Sequence, residues 1–422
     1  MNRNPYVKPA LFRHAEQALR EILAFAAPAD SLLSGYFRVY RELGHADRAF
    51  IAETVFAVLR RKRSLEAACA GRPSPRRLLL SALVCARGWE PHALESLLKP
   101  GELDWLVAAR TSGNTGFPPA VCRDWPDWLD AALVGQYGPE TSDALAEALK
   151  QPAPLDLRVN SLKIDRAQLL AEFAAAGLAA TPGELSPLAV RLAGKPALTR
   201  HPRFIDGSFE VQDEGSQLLG LLLAPKRGEM VVDFCAGAGG KTLLLGALMK
   251  NSGRLYALDV SERRLAKLKP RLARSGLSNV HPVRIEHERD VKVKRLAGKV
   301  DRVLVDAPCS GLGTLRRNPD LKWRQSPTAV AELVAKQTAI LAAASGLLKP
   351  GGRLVYATCS LLREENDAVV DAFLETHPQF RSVSVGEILM RQGIALAGER
   401  LQLLPHVHQT DGFFAAILER DV

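Results

Sequence analysis

The sequence predicts an α/β protein whose main domain is a doubly wound, mostly parallel sheet, preceded by an all-helical domain and a small α/β module. Three observations carry this reading. From about residue 206 the apolar pattern runs strand, helix, strand, helix, the rhythm of a parallel sheet with helices on both faces. Residues 1–145 instead carry apolar positions at helical spacing, with Pro-containing breaks. Between them, 146–205 mixes alternating strands with one amphipathic helix. The expected boundaries are therefore 1–145, 146–205 and 206–422, and a chain of 422 residues is long enough for each part to have a core.

In order, HAEQALREILAFA, YFRVYRELG, DRAFIAETVFAVLRRKRSLEAACA and PRRLLLSALVCARG read as helical. LDLRVNSL and LAVRLAG read as strands around the helix DRAQLLAEFAAAGL. MVVDFCAG is a buried strand running into a glycine loop, and KTLLLGALMKN is the helix after it. RLYALDVS, NVHPVRI, DRVLVDAP and GRLVYATCS are further strands, and LQLLPHVHQTDGFFAAILER is a terminal strand pair. Ligands of such sheets bind at the carboxyl ends of the strands, and each chemically suggestive motif here sits at one.

Composition narrows the partners. The net charge of +10 points to a polyanion, nucleic acid before membrane surface. Arg60, Arg61, Lys62, Arg63, Arg72, Arg76 and Arg77 form a basic cluster, read as an RNA-facing patch against the alternative of a solvated helix face. The six cysteines lack any C-x-x-C pair, which predicts free thiols in a reducing compartment. The start lacks a signal-peptide core and no apolar run spans a bilayer, so a cytoplasmic protein with no membrane partner is expected. His406 and His408 have no evident third partner, and no metal is expected.

The stretch DFCAGAGGKT, Asp233 to Thr242, decides the ligand class. A phosphate-binding P-loop needs a glycine where Cys235 stands, so that reading fails. The G-x-G of Gly237 and Gly239 fits a nucleoside pocket, and Asp259, one βα unit later, can accept ribose hydroxyls. Nicotinamide enzymes and methyltransferases share both features. Asp306 is followed by Ala307-Pro308-Cys309-Ser310-Gly311, and a third strand ends in Thr358-Cys359-Ser360. Converging strand ends would let Cys309 and Cys359 face one cavity. A hydride-transfer enzyme leaves both thiols unexplained, although a free cysteine is most often a small buried hydrophobe.

DFCAGAGGKT, ALDVS, DAPCSGLGTLRRNPDLKWR and YATCS together resemble the RNA 5-methylcytosine methyltransferase family, the Sun or RsmB-type group. ELGHADRAFIAETVFAVLR resembles the NusB-like RNA-binding domain of that group, and LRVNSLK and FEVQDEGSQL resemble the segments leading into its core. The resemblance implies a Rossmann-like class I methyltransferase fold for 206–422. It implies S-adenosyl-L-methionine as cofactor and RNA, by analogy 16S ribosomal RNA, as substrate. The sequence leaves the oligomeric state open, a monomer being favoured. Cys235, Ala236, Gly237, Ala238, Gly239, Gly240 and Lys241 would form the cofactor loop, with Asp259 on the ribose. Cys359 would be the nucleophile that adds to cytosine C6, and Cys309 would assist elimination. DNA cytosine methyltransferases use the cysteine of their Pro-Cys motif instead, which makes Cys309 the competing nucleophile. Asp306 would orient base and methyl donor, and Lys241 would neutralise charge or position the base.

Arg316, Arg317, Lys322 and Arg324 around Trp323 suggest a phosphate-tracking loop, a packed tryptophan being the rival reading. The chain departs from the family after the third strand. Arg284-Ile285-Glu286-His287-Glu288 replaces a Gly-Asp whose carboxylate holds the adenine, and that role stays unassigned. A non-catalytic RNA-binding assembly factor on the same scaffold is the alternative function.

Overall fold

A computed structural model describes residues 7–69, 71–113 and 115–422. The chain divides into two compact units. One runs through Pro152 and takes in Thr314–Pro327; the other comprises Ala153–Gly313 and Thr328–Val422.

The first unit is helical. Pro9–Ile22, Ala29–Val39, His45–Arg60, Lys62–Ala68 and Pro75–Ser81 pack around Phe12, Leu19, Ile51, Val55, Leu59 and Leu79. Proline opens the first and last of these, where its missing N–H costs nothing. The long stretch from Asp47 to Cys69 is two helices, because Arg61 at φ −121° breaks the run.

The basic cluster of this unit is largely half-buried and tied to its neighbours. Arg60 Nη2 donates to Arg316 O at 2.9 Å, and burial pulls its guanidinium down to about 10. Arg63 pairs with Asp127 at 2.8 Å, Arg76 holds Glu102 at 2.6 Å, and Lys62 pairs with Glu66 at 2.8 Å. Arg77 lies over the Trp105 ring. Of the seven, only Arg72 stands exposed. Most of these charges therefore make ties within the unit, while Arg61 is half-buried and Arg72 exposed.

The same holds for the tryptophan loop. Within this unit Trp323 Nε1 donates to Leu59 O at 2.9 Å, and Lys322 Nζ donates to Arg60 O at 2.8 Å. Arg316 and Lys322 are buried. The packed-tryptophan reading replaces the phosphate-tracking one.

The second unit holds two sheets. In the smaller, β1 (Leu155–Val159), β2 (Ala180–Pro182), β3 (Ala189–Leu192) and β4 (Phe209–Val211) lie in the order β2-β3-β1-β4, all antiparallel. The helix Arg166–Ala175 covers them through Leu169 and Phe173.

The larger sheet contains β5 (Met230–Asp233), β6 (Arg254–Asp259), β7 (Val280–Arg284), β8 (Val300–Asp306), β9 (Leu348–Thr358), β10 (Phe380–Val383), β11 (Leu401–Leu403) and β12 (Phe413–Arg420). Its order is β10-β12-β9-β8-β5-β6-β7, with β11 beside β12. The five strands from β5 to β9 are parallel; β10, β11 and β12 run antiparallel to their neighbours. The doubly wound α/β expectation holds. Alternate residues of the strands feed two cores, one through Val232, Val303, Val305 and Tyr356, the other through Val231, Leu304, Val355 and Ala357. The chain leaves β5 towards β6 on one side and returns to β8 on the other. That reversal opens a crevice over the carboxyl ends of β5 and β8. Among the described residues no helix is long and apolar enough to cross a membrane.

Candidate functional site

Four strand ends meet at the crevice. β5 ends at Asp233, β6 at Asp259, β8 at Asp306 and β9 at Thr358, and the residues of interest follow these positions. The parallel register places them on one edge, Asp233 beside Leu304 and Asp306 beside Ala357.

The glycine loop turns through Gly237 at φ 55° and Gly239 at φ 82°, left-handed conformations that glycine adopts readily. A Cβ on Gly239 would lie 2.1 Å from Leu268 Cδ1, so this glycine also lets the loop close on the helix Glu262–Ser275. A Cβ on Gly237 would meet nothing within 4 Å, so that side of the loop is open. Asp259 Oδ2 accepts from Gly237 N at 2.8 Å and Oδ1 from Ser261 N at 2.7 Å. Each carboxylate oxygen has a further lone pair for a hydroxyl.

Two arginines brace the loop from behind. Arg158 Nη1 donates to Gly240 O at 2.6 Å and to Gln212 Oε1; Arg271 Nη1 donates to Ala238 O at 2.6 Å. Burial draws the Arg158 guanidinium down to about 10. Glu210 ties Arg271 at 3.0 Å and Arg274 at 2.6 Å. Sequence reasoning missed both braces. The available signal was a charged residue inside the apolar strand LDLRV, where a solvated arginine has no place.

Beneath the loop, Asp233 is fully buried and takes the Thr242 hydroxyl at 2.6 Å. Burial lifts its carboxyl to about 7. Cys235 packs against the sheet core, and burial pushes its thiol up. Lys241 Nζ donates to Asp306 Oδ2 at 2.7 Å. Burial works against the ammonium, but Asp306 outweighs it and Cys359 adds to the pull, so the lysine stays charged.

The two thiols face each other. Cys309 Sγ and Cys359 Sγ, 50 residues apart in sequence, stand 3.4 Å apart. Their contact and burial drive the Cys309 thiol well up. The main chain fixes this approach. Ala307 N donates to Ala357 O at 2.8 Å and Gly313 N to Cys359 O at 2.8 Å. Gly412 N donates to Gly313 O at 2.8 Å, and a Cβ on Gly313 would lie 2.2 Å from Gly412 O.

After β7, Glu286 and His287 are exposed, while Asp290 is buried and accepts from Glu286 N and Lys292 N, each at 2.8 Å. These backbone bonds hold its carboxyl below the usual range. Asp290 is the buried acid of this loop. It was not singled out from sequence because it lies beyond the expected position. His406 and His408 fall on the short helix Pro405–His408. Among the described residues no cluster of three or more His, Cys, Asp or Glu side chains could hold a metal.

Known proteins resemble this chain. Residues 220–419 match the family profile of the 16S rRNA methyltransferase RsmB/F, and residues 125–199 match the RsmF/B-like ferredoxin-like domain. A probable ribosomal RNA small subunit methyltransferase B from Synechocystis is 39% identical over 302 residues, covering 70% of this chain and 67% of its own. The similarly named Bacillus subtilis protein is 37% identical over 303 residues, covering 70% and 66%. The match thus spans about two thirds of these relatives' length. A methyltransferase homologue from Pyrococcus horikoshii superposes with a TM-score of 0.62 at 30% identity, over 72% of this chain and 97% of the other.

Proposed function

The chain belongs to the 16S rRNA methyltransferase RsmB/F family, and from that premise we propose that it methylates carbon 5 of a cytosine in small-subunit ribosomal RNA. The observation that carries the reading is the pair of thiols at 3.4 Å over the strand ends, beside a charged lysine and a nucleoside-type loop. Free cysteines suit a reducing cytoplasm.

The residues fit S-adenosylmethionine. The open backbone at Gly237 leaves room for a ligand, Asp259 retains acceptor capacity for ribose hydroxyls, and Asp306 with Lys241 would hold the methionine portion. When bound, this cofactor supplies the electrophilic methyl group.

Carbon 5 of cytosine is a poor nucleophile. The Cys359 thiolate adds to C6, forming a C–S bond and pushing electron density to C5. The Lys241 ammonium, which interacts electrostatically with Cys359, stabilises that thiolate. Asp306 fixes the lysine and orients the base. After the methyl group has arrived, Cys309, once it has released its own proton to solvent, takes the C5 proton; the C5–H electron pair forms the C5=C6 bond, and the C6–S bond breaks with its pair returning to Cys359.

The test compares Cys359→Ala with Cys309→Ala on small-subunit RNA from a methylation-deficient strain with radiolabelled methyl donor. Cys359→Ala is expected to be inactive. Cys309→Ala is expected to accumulate a denaturation-resistant protein–RNA adduct. The reverse pattern makes Cys309 the nucleophile. RNA binding by the unaltered protein with no 5-methylcytosine on free RNA or particles favours the assembly-factor alternative.

A further inference from the structure

The loops that bear the thiols are joined by more than sulfur. Each cysteine is followed by a serine, and both serines bond one carboxylate that is fully out of water, Glu365. Its Oε2 accepts from Ser310 Oγ at 2.5 Å and from Ser360 Oγ; the two hydroxyls are 3.1 Å apart. Its Oε1 accepts from Ser310 N at 2.8 Å and Gln337 Nε2 at 3.0 Å. Gln337 also donates to Pro308 O at 3.0 Å, on the other side of Cys309. The neighbouring Asn366 takes the Thr358 hydroxyl at 2.5 Å and donates to Ser360 O at 3.1 Å, so it flanks Cys359 on both sides. Tyr356 OH closes the knot on Glu365 O at 2.7 Å.

We propose that Glu365 is a positioning residue: a clasp between two strand-end loops that sets the distance and direction between the Cys309 and Cys359 sulfurs. These four donors to it are neutral, and a carboxylate is the one side chain that can accept all of them while donating none. An amide of the same shape can set its oxygen on Ser310 N and Gln337 and its N–H groups on the two hydroxyls, but it exchanges short charge-assisted O–H···O bonds for longer, weaker N–H···O ones and so shifts the loops. A displacement of the reacting groups by about 1 Å can cost about a hundredfold in rate. A clasp at this spot therefore acts on catalysis without touching substrate. The geometry stands on its own; the kinetic consequence rests on the cytosine C5 reading.

The full chain, Glu365→Gln and Ser360→Ala are titrated with phenylarsine oxide. Its arsenic bridges two preorganised thiols: two S–H bonds and the As–O bond break, two As–S bonds form, and one water leaves. Cys309→Ala reports binding at other cysteines. Methyl transfer and the thermal shift with S-adenosylhomocysteine are measured alongside. In Glu365→Gln, arsenical affinity and kcat should each fall about tenfold or more, with KM for the methyl donor and the S-adenosylhomocysteine shift unchanged. A folded Glu365→Gln with unaltered arsenical affinity and kcat overturns the clasp. So does a loss of donor binding that matches the loss of rate. If Glu365→Gln does not fold, Ser360→Ala decides: a fall of about threefold or more in arsenical affinity supports the clasp, and full affinity overturns it. Should the unaltered protein methylate no RNA, the functional reading fails, while the arsenical titration still decides the clasp.

Discussion

At Gly239 the backbone stands at φ 82° with Leu268 where a Cβ would go, 2.1 Å away. Gly239→Ala must therefore pay for a left-handed alanine and for displaced packing together. The expected loss is about 2–4 kcal/mol in urea unfolding, with the S-adenosylhomocysteine thermal shift abolished because the loop moves. Gly237→Ala shares the left-handed strain but meets nothing within 4 Å, so it should cost less in stability. Equal losses in the two variants would show that packing on Leu268 is not the constraint. The residues legible from sequence were those whose chemistry is local: the glycines of one turn, and two cysteines in recognisable tripeptides. Arg158 and Glu365 were not, because each acts on a segment 55 to 82 residues away and looks, in its own segment, like an ordinary charge.

At the scale of elements, the ends of β5, β6 and β8 were legible because continuous apolar runs end sharply at aspartates. The segment Thr314–Pro327 was misread for the opposite reason. Its arginines and lysine look like a surface run, but burial depends on the helices it packs with, and no local pattern reports that. Lys322 makes this testable. It is buried, and burial pulls its ammonium down to about 7 while the unfolded chain keeps a pKa near the ordinary 10.5. Between these values the unfolded state binds the extra proton, so this group makes stability rise with pH from about 7 to about 10. Below pH 7 both states are protonated and the destabilisation is complete. Lys322→Met should therefore flatten the rise in melting temperature across that window. An unchanged slope would mean that Lys322 stays charged in the fold.

For the whole molecule, a net charge of +10 points to a polyanionic partner, but several of the residues in its most basic sequence cluster are tied within the fold. Charge counted along a sequence does not distinguish a guanidinium tied to a carbonyl from one facing water. Arg60, Arg63 and Arg76 belong to the first kind. On the helix Glu262–Ser275 the second kind is found: Arg263, Arg264, Lys267 and Lys269 are exposed, while Leu265 and Leu268 anchor the opposite face. Each phosphate contact made by such a side chain adds about one unit to the slope of log affinity against log salt. Replacing all four by glutamine should weaken binding to small-subunit ribosomal RNA and flatten that slope by about 1–3 units between roughly 50 and 200 mM salt. Arg60→Gln should instead lower the melting temperature and leave the slope of the folded fraction unchanged, because its donor serves Arg316 O. If the fourfold variant keeps the original slope while Arg60→Gln loses it, the polyanion is read by the helical unit's residual charge rather than by this helix.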